Sequence, residues 1–165
     1  MDGSDRPAAR PSVTVAVVIE REAHPNRWED WRFRIVEVLS DEGAFGTAPR
    51  LLRDDGRFAR WLHPGFTVEL FRDEGEGYYL NLSSGAPAWF VSWRIGDEDA
   101  SQAWPEIVSL SYNEAGRWLD AQERVDNLPL PPDVVAWLQA WNDQHYRPEP
   151  KRRKRPSSFL PPEQR

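Results

Sequence analysis

The stretch from Gly77 to Gly96 constrains this chain most. Two β-rich runs, Gly77-Tyr78-Tyr79-Leu80-Asn81-Leu82 and Ala88-Trp89-Phe90-Val91-Ser92-Trp93-Arg94-Ile95, flank Ser83-Ser84-Gly85-Ala86-Pro87. Two alternating runs about a turn-forming loop predict a β-hairpin. A period of two puts Tyr78, Leu80 and Leu82 on one face, and Trp89, Val91, Trp93 and Ile95 on one face of the second run. The aromatic supply, nine Trp, seven Phe and four Tyr in 165 residues, is enough to fill the core such a sheet needs.

Upstream, Val13 to Ile19 is nearly continuous in apolar residues, which predicts a central strand buried on both faces. After the turn signal His24-Pro25-Asn26, the alternation in Trp31-Arg32-Phe33-Arg34-Ile35 turns Trp31, Phe33 and Ile35 inward and the arginines outward. Leu51 to His63 is ambiguous between turn and short strand. His63-Pro64-Gly65 reads as a break before a strand through Phe66, Val68 and Leu70. Ile107 to Ser111 reads as the last strand.

Ser111-x-x-Glu114 is a capping box that opens a helix through Ala115, Trp118 and Leu119. Asn127 to Pro131 reads as a Pro-broken linker. Pro131-Pro132-Asp133 starts a second helix, whose stripe Val134, Trp137, Leu138, Trp141 and His145 is suited to cover a sheet face. The expected fold is therefore α+β: an antiparallel sheet of about six strands, inclined to curl into a barrel, with two C-terminal helices. The expected domain spans residues 13–146, between tails at 1–12 and 147–165.

Charge is divided unevenly. Residues 147–165 carry seven Lys/Arg against Glu149 and Glu163, whereas the rest holds 14 basic and 25 acidic side chains, within a total net charge of −6. The acidic body disfavours nucleic acid as a partner, and the run Lys151-Arg152-Arg153-Lys154-Arg155 is a candidate arm for anions. There is no cysteine, which removes disulfides, thiolate metal sites and thiol nucleophiles. No apolar run approaches the roughly 20 residues of a membrane span, and no secretory h-region is evident, so the cytoplasm is the expected compartment.

No catalytic set converges. His24, His63 and His145 lack metal-ligand spacing, so neither a metal nor a cofactor is expected. Ser83-Ser84-Gly85 lacks the nucleophile-elbow pattern, and no glycine-rich phosphate loop is present. The densest mixture of aromatic and charged residues is Asn26-Arg27-Trp28-Glu29-Asp30-Trp31-Arg32, in which Trp and Arg are the usual interface anchors. Trp28, Trp31, Arg32, Arg72 and Asn81 are the candidate binding residues. Arg94 is also a candidate, placed to pair with an acid across the sheet.

Three segments resemble a bacterial family whose genes commonly lie beside those for molybdenum-dependent formate dehydrogenase and its maturation chaperone. They are Val17 to Arg21 with Trp28 to Arg34, then Val68 to Glu74 with Tyr78 to Ser84, and Leu130 to Trp137 followed by the basic tail, together spanning roughly residues 13–155. The resemblance implies a non-catalytic accessory protein that binds a formate dehydrogenase subunit or its maturation factor. Members are sometimes labelled molybdopterin-guanine dinucleotide biosynthesis proteins, which implies the alternative of molybdenum-cofactor or guanine-nucleotide handling. Here the first strand runs into Glu20-Arg21-Glu22-Ala23-His24-Pro25 with no glycine, so the phosphate cradle of a guanylyltransferase is missing at that position.

Overall fold

The computed structural model describes residues 10–149. The proposed arm Lys151–Arg155, most of the expected N-terminal tail and most of the C-terminal one lie outside the described residues. The fold is α+β. Strands β1 (Ser12–Ala23), β2 (Trp31–Ser40), β3 (Arg50–Asp54) and β4 (Phe58–Glu69) form an antiparallel sheet in the order β2-β1-β4-β3. Helix α1 (Gly75–Leu82), preceded by a 3-10 turn at Arg72–Glu74, leads to a second antiparallel sheet. This has the order β6-β5-β7, with β5 (Ala88–Ile95), β6 (Ala103–Ser109) and β7 (Arg124–Pro129). Helix α2 (Tyr112–Asp120) connects β6 to β7, and α3 (Pro132–His145) follows.

β1 is central, as its apolar run predicts. Val15, Val17 and Ile19 enter the main core, while Ala16 and Val18 join Leu62 on the opposite face beneath Phe45. The main core lies between the two sheets, where Phe33 and Ile35 of β2 meet Trp89, Val91 and Trp93 of β5. β7 lies beside β2 and β6 beside β4, but no backbone ladder joins either pair, so the sheets do not close into a barrel. At the first of these seams the Ile35 N–H donates to Asp126 Oδ2 at 2.8 Å.

The predicted hairpin is half right. Ala88–Ile95 is a strand with Trp89, Val91 and Trp93 turned inward, but Gly77–Leu82 belongs to α1. Both periodicities place Tyr78 and Leu82 together, so these residues do not discriminate; the difference falls on Leu80 and Asn81. The helix turns Asn81 inward, where it is 1% exposed, and leaves Leu80 half-buried. Its place is held by hydrogen bonds: Asn81 Nδ2 donates to Ala88 O and Leu110 O, both at 2.9 Å, and Ala88 N–H donates to Asn81 Oδ1 at 2.9 Å.

Pro64-Gly65 does not break the chain. β4 runs continuously past it, and the register against β1 shifts between Val15 and Val17, so the pair is absorbed in a bulge. Asp41 supports the bulge by accepting from the Gly65 N–H at 3.1 Å. The linker expected at Asn127–Pro131 overlaps β7, an edge strand that tolerates Pro129 as its last residue. Half of the capping box forms: the Ser111 side chain accepts from the Glu114 N–H at the start of α2, but the Ser111 N–H donates to Ser109 Oγ at 3.0 Å in place of the Glu114 carboxylate. The Val134–His145 stripe of α3 packs on the main core through Leu138, which is fully buried, with Val134, Trp137 and Trp141 around it; His145 stays exposed.

Candidate functional site: an aromatic loop at the β1–β2 turn

The candidate binding residues do not form one surface. Trp28, Trp31 and Arg32 gather at the β1–β2 turn. Arg72 sits in the 3-10 turn after β4, at the far end of β1 and β4, on the order of 35 Å away along the strands. Asn81 is core, so the expectation that it lines a contact surface is corrected: the strand that would expose it does not form, and helix α1 turns it inward. Arg94, near the end of β5, is exposed and pairs as expected, with Glu123 at 3.0 Å and Glu106 at 4.0 Å.

The β1–β2 turn is built by Asn26. Its Oδ1 accepts from the Trp28 N–H at 2.8 Å and the Glu29 N–H at 2.9 Å, while its Nδ2 donates to Glu29 Oε1. A side chain that closes its own loop in this way supplies the hydrogen bonds a backbone turn would otherwise make. His24 adopts a left-handed φ of 50°, and its N–H donates to Asp30 O at 2.8 Å, closing the base of the loop. Arg32 Nη2 reaches Glu29 Oε1 at 3.1 Å, and the bonds from Arg32 and Asn26 hold the Glu29 carboxyl below its ordinary range.

Trp28 stands out of this fixed loop at 85% exposure, with the Arg27 guanidinium 6.0 Å from its ring centroid. At the ends of the strands Trp31 stacks on His24, centroids 6.0 Å apart, and Arg21 lies over two indoles, 4.4 Å from Trp31 and 4.9 Å from Trp61. Arg21 also donates to Ser101 O at 2.9 Å, which ties the β5–β6 loop to this end of the molecule. Sequence reasoning passed over Arg21. The available signal was its even spacing from Val17 and Ile19, which put a cation on an inward face where only aromatic partners could hold it.

On the outer face of the first sheet, Glu20 is 4% exposed and sits in register between Arg34 and Arg60. Arg34 Nε meets Oε1 at 2.9 Å and Arg60 Nε meets Oε2 at 2.8 Å. Burial alone would raise this carboxyl, but the hydrogen bonds from Arg60 and then Arg34 prevail and hold it below the ordinary value of 4.5. Because the folded pKa is the lower one, the stabilisation is complete at neutral pH. It declines as pH falls below about 4.5 and is lost once pH passes the folded value. Glu20→Gln is expected to lower stability at pH 7 by about 1.5–3 kcal/mol and to flatten the acid limb of a stability-versus-pH series. An acid limb unchanged in slope would assign that pH dependence elsewhere.

Among the described residues no group of three or more His, Asp or Glu side chains is placed to hold a metal ion. His63, half-buried in β4, is shifted down by burial, and His145 stacks on Trp141 with centroids 4.5 Å apart. Arg72 lines a cavity of about 650 Å³ together with Arg10, Phe71, Trp141 and His145. No helix among the described residues is long and apolar enough to cross a membrane.

The fold and this turn define an α+β protein with two unclosed antiparallel sheets and a braced loop that presents an aromatic side chain. Residues 14–155 match the family of proteins of unknown function DUF3305, and the chain belongs to it. No curated protein and no solved structure matches the chain.

Proposed function

We propose that this protein is a non-catalytic accessory factor that acts by binding another protein through the β1–β2 turn. The observation that carries this reading is Trp28, a large aromatic residue 85% exposed on a loop whose backbone is already held by Asn26 and Glu29. An indole presented without loss of loop entropy is what an interface anchor needs. The partner we propose is a subunit of a molybdenum-dependent formate dehydrogenase or its maturation factor, supported by the resemblance of the Val17–Arg34, Val68–Ser84 and Leu130–Trp137 segments.

The test is co-purification. Tagged protein made in cells that produce the dehydrogenase is expected to retain one of its subunits or maturation factors. Trp28→Ala is expected to cut the amount retained tenfold or more while changing folding stability by less than about 0.5 kcal/mol, as for an exposed side chain. No dehydrogenase component on the wild type, or equal retention by the variant, would sink the reading.

A second reading, molybdenum-cofactor or guanine-nucleotide handling, is favoured by the cavity at Arg72, where two guanidinium groups and an imidazole meet the rings of Phe71 and Trp141. Calorimetric titration with GTP and with the molybdenum cofactor separates the two readings. Heat release abolished by Arg72→Ala would support the second, and no heat leaves the first standing.

A further inference from the structure

The outer face of the first sheet carries a row of arginines. Register places Arg34, Glu20, Arg60 and Arg53 side by side across β2, β1, β4 and β3. Residues directly opposite one another point to the same face, so the row spans three strand intervals, about 14 Å. Arg50 follows in the next row, opposite Leu62, whose side chain lies on this same face. Within the row three guanidinium groups face one carboxylate. This is a local reversal of sign, because the chain outside residues 147–165 holds 14 basic and 25 acidic side chains.

Glu20 makes the row more than a set of surface charges. For stability alone, a buried carboxylate between two cations is often no better than a well-packed apolar side chain. Its effect here is to orient its partners. Arg34 and Arg60 each give it only Nε, at 2.9 and 2.8 Å, one to each oxygen. Their Nη atoms have no hydrogen-bond partner among the described residues, and the two side chains are 64% and 37% exposed. Two planar forks are therefore held in place with their donors toward solvent. An oxyanion that meets them does not have to order two long side chains first. The nearby acids leave the row open: Asp55 meets Arg53 at 2.6 Å, Glu22 meets Arg57 at 3.4 Å, and Glu37 stands on β2 opposite Val18. Exposed pairs such as Arg53–Asp55 hold their partners weakly and exchange them readily.

We propose that this row docks an acidic segment of a partner protein, with carboxylates seated on the Nη forks of Arg34 and Arg60 and further acids reaching Arg53 and Arg50. Charge complementarity and fork geometry give the partner its chemistry, since a guanidinium fork matches a carboxylate with two parallel hydrogen bonds. The acidity of the body limits the partner's length. A long polyanion, whether nucleic acid or an anionic membrane, is repelled by the surface beyond the row, whereas a short acidic segment meets the row alone. The row is separate from Trp28, and its binding does not depend on that side chain.

The probe is a fluorescein-labelled ten-residue peptide of alternating Glu and Ser, titrated with the full chain and read by fluorescence anisotropy. It is expected to bind at about 50 mM salt and to weaken tenfold or more by about 300 mM. Arg50→Glu together with Arg53→Glu reverses the open end of the row without touching Glu20, and is expected to weaken binding tenfold or more with the melting temperature unchanged. Arg34→Lys keeps the charge and a bond to Glu20 but removes the fork, and should weaken binding several-fold. Neutralising the tail (Lys151→Gln, Arg152→Gln, Arg153→Gln, Lys154→Gln and Arg155→Gln) should leave the affinity unchanged, which separates the row from the basic arm. Trp28→Ala should leave it unchanged as well. No binding, undiminished binding by either row variant, or loss of binding on neutralising the tail would each overturn the proposal. So would tighter binding of a ten-nucleotide DNA strand or of phosphatidylserine vesicles than of the peptide, compared on the tail variant.

Discussion

Asn81→Ala is expected to lower folding stability by about 3–4 kcal/mol, the largest effect of any single truncation considered. The side chain is 1% exposed and joins three elements: α1, which carries it; the start of β5 at Ala88; and Leu110 just after β6. Alanine would leave the Ala88 N–H, the Ala88 carbonyl and the Leu110 carbonyl without these partners in a site closed to water. Each such orphan costs about 1–3 kcal/mol, with some relief from relaxation. Urea unfolding measures it directly. A loss under about 1 kcal/mol would mean that solvent reaches these groups and that α1 is held by Tyr78 and Leu82 instead.

Gly77→Ala should be nearly as damaging, at about 2–4 kcal/mol. A Cβ there would run into the Ser111 hydroxyl and lie 3.2 Å from the Asn113 N–H. Ser111 cannot yield without consequence. Its Oγ caps α2 by accepting from the Glu114 N–H and also meets Glu74 Oε2, which places it at the junction of α1 and α2. Arg117 closes the same junction through Glu74. The added methyl therefore strains α1 and weakens the cap of α2 together. Gly116→Ala, by contrast, is expected to stabilise by about 0.5–1 kcal/mol, because the same methyl enters open space in mid-helix. Thermal unfolding of the two variants side by side should give shifts of opposite sign. Matching signs would refute the geometry at one of the two glycines.

The strands were legible where one reading of the pattern was open. Val13–Ile19 has no polar side to offer except Thr14, so burial on both faces follows directly. Trp31-Arg32-Phe33-Arg34-Ile35 fits only a period of two. Pro132 and Asp133 mark the start of α3 because each suits the first turn of a helix, one by its fixed φ and the other by its charge. At Gly77–Leu82 the pattern supports two periods at once, and the choice is made by what Asn81 can bond to, information that lies at Ala88 and Leu110. Pro64-Gly65 looks like an interruption until β1 supplies the register that makes it a bulge. At the β1–β2 turn the sequence displays the right residue types in Asn26 to Arg32, but whether Trp28 packs down or stands free depends on the Asn26 and Glu29 hydrogen bonds.

Sequence alone determined the class of fold, the inward face of the outer strands, the helix caps and the concentration of aromatic and charged residues at one turn. These are local properties, set by side-chain periodicity and backbone preference within a few residues. Tertiary structure decided that α1 is a helix, that the two sheets remain unclosed, and that Arg72 and Asn81 part company with Trp28. Those outcomes depend on contacts between residues far apart in the chain, whose energies no short window of sequence contains.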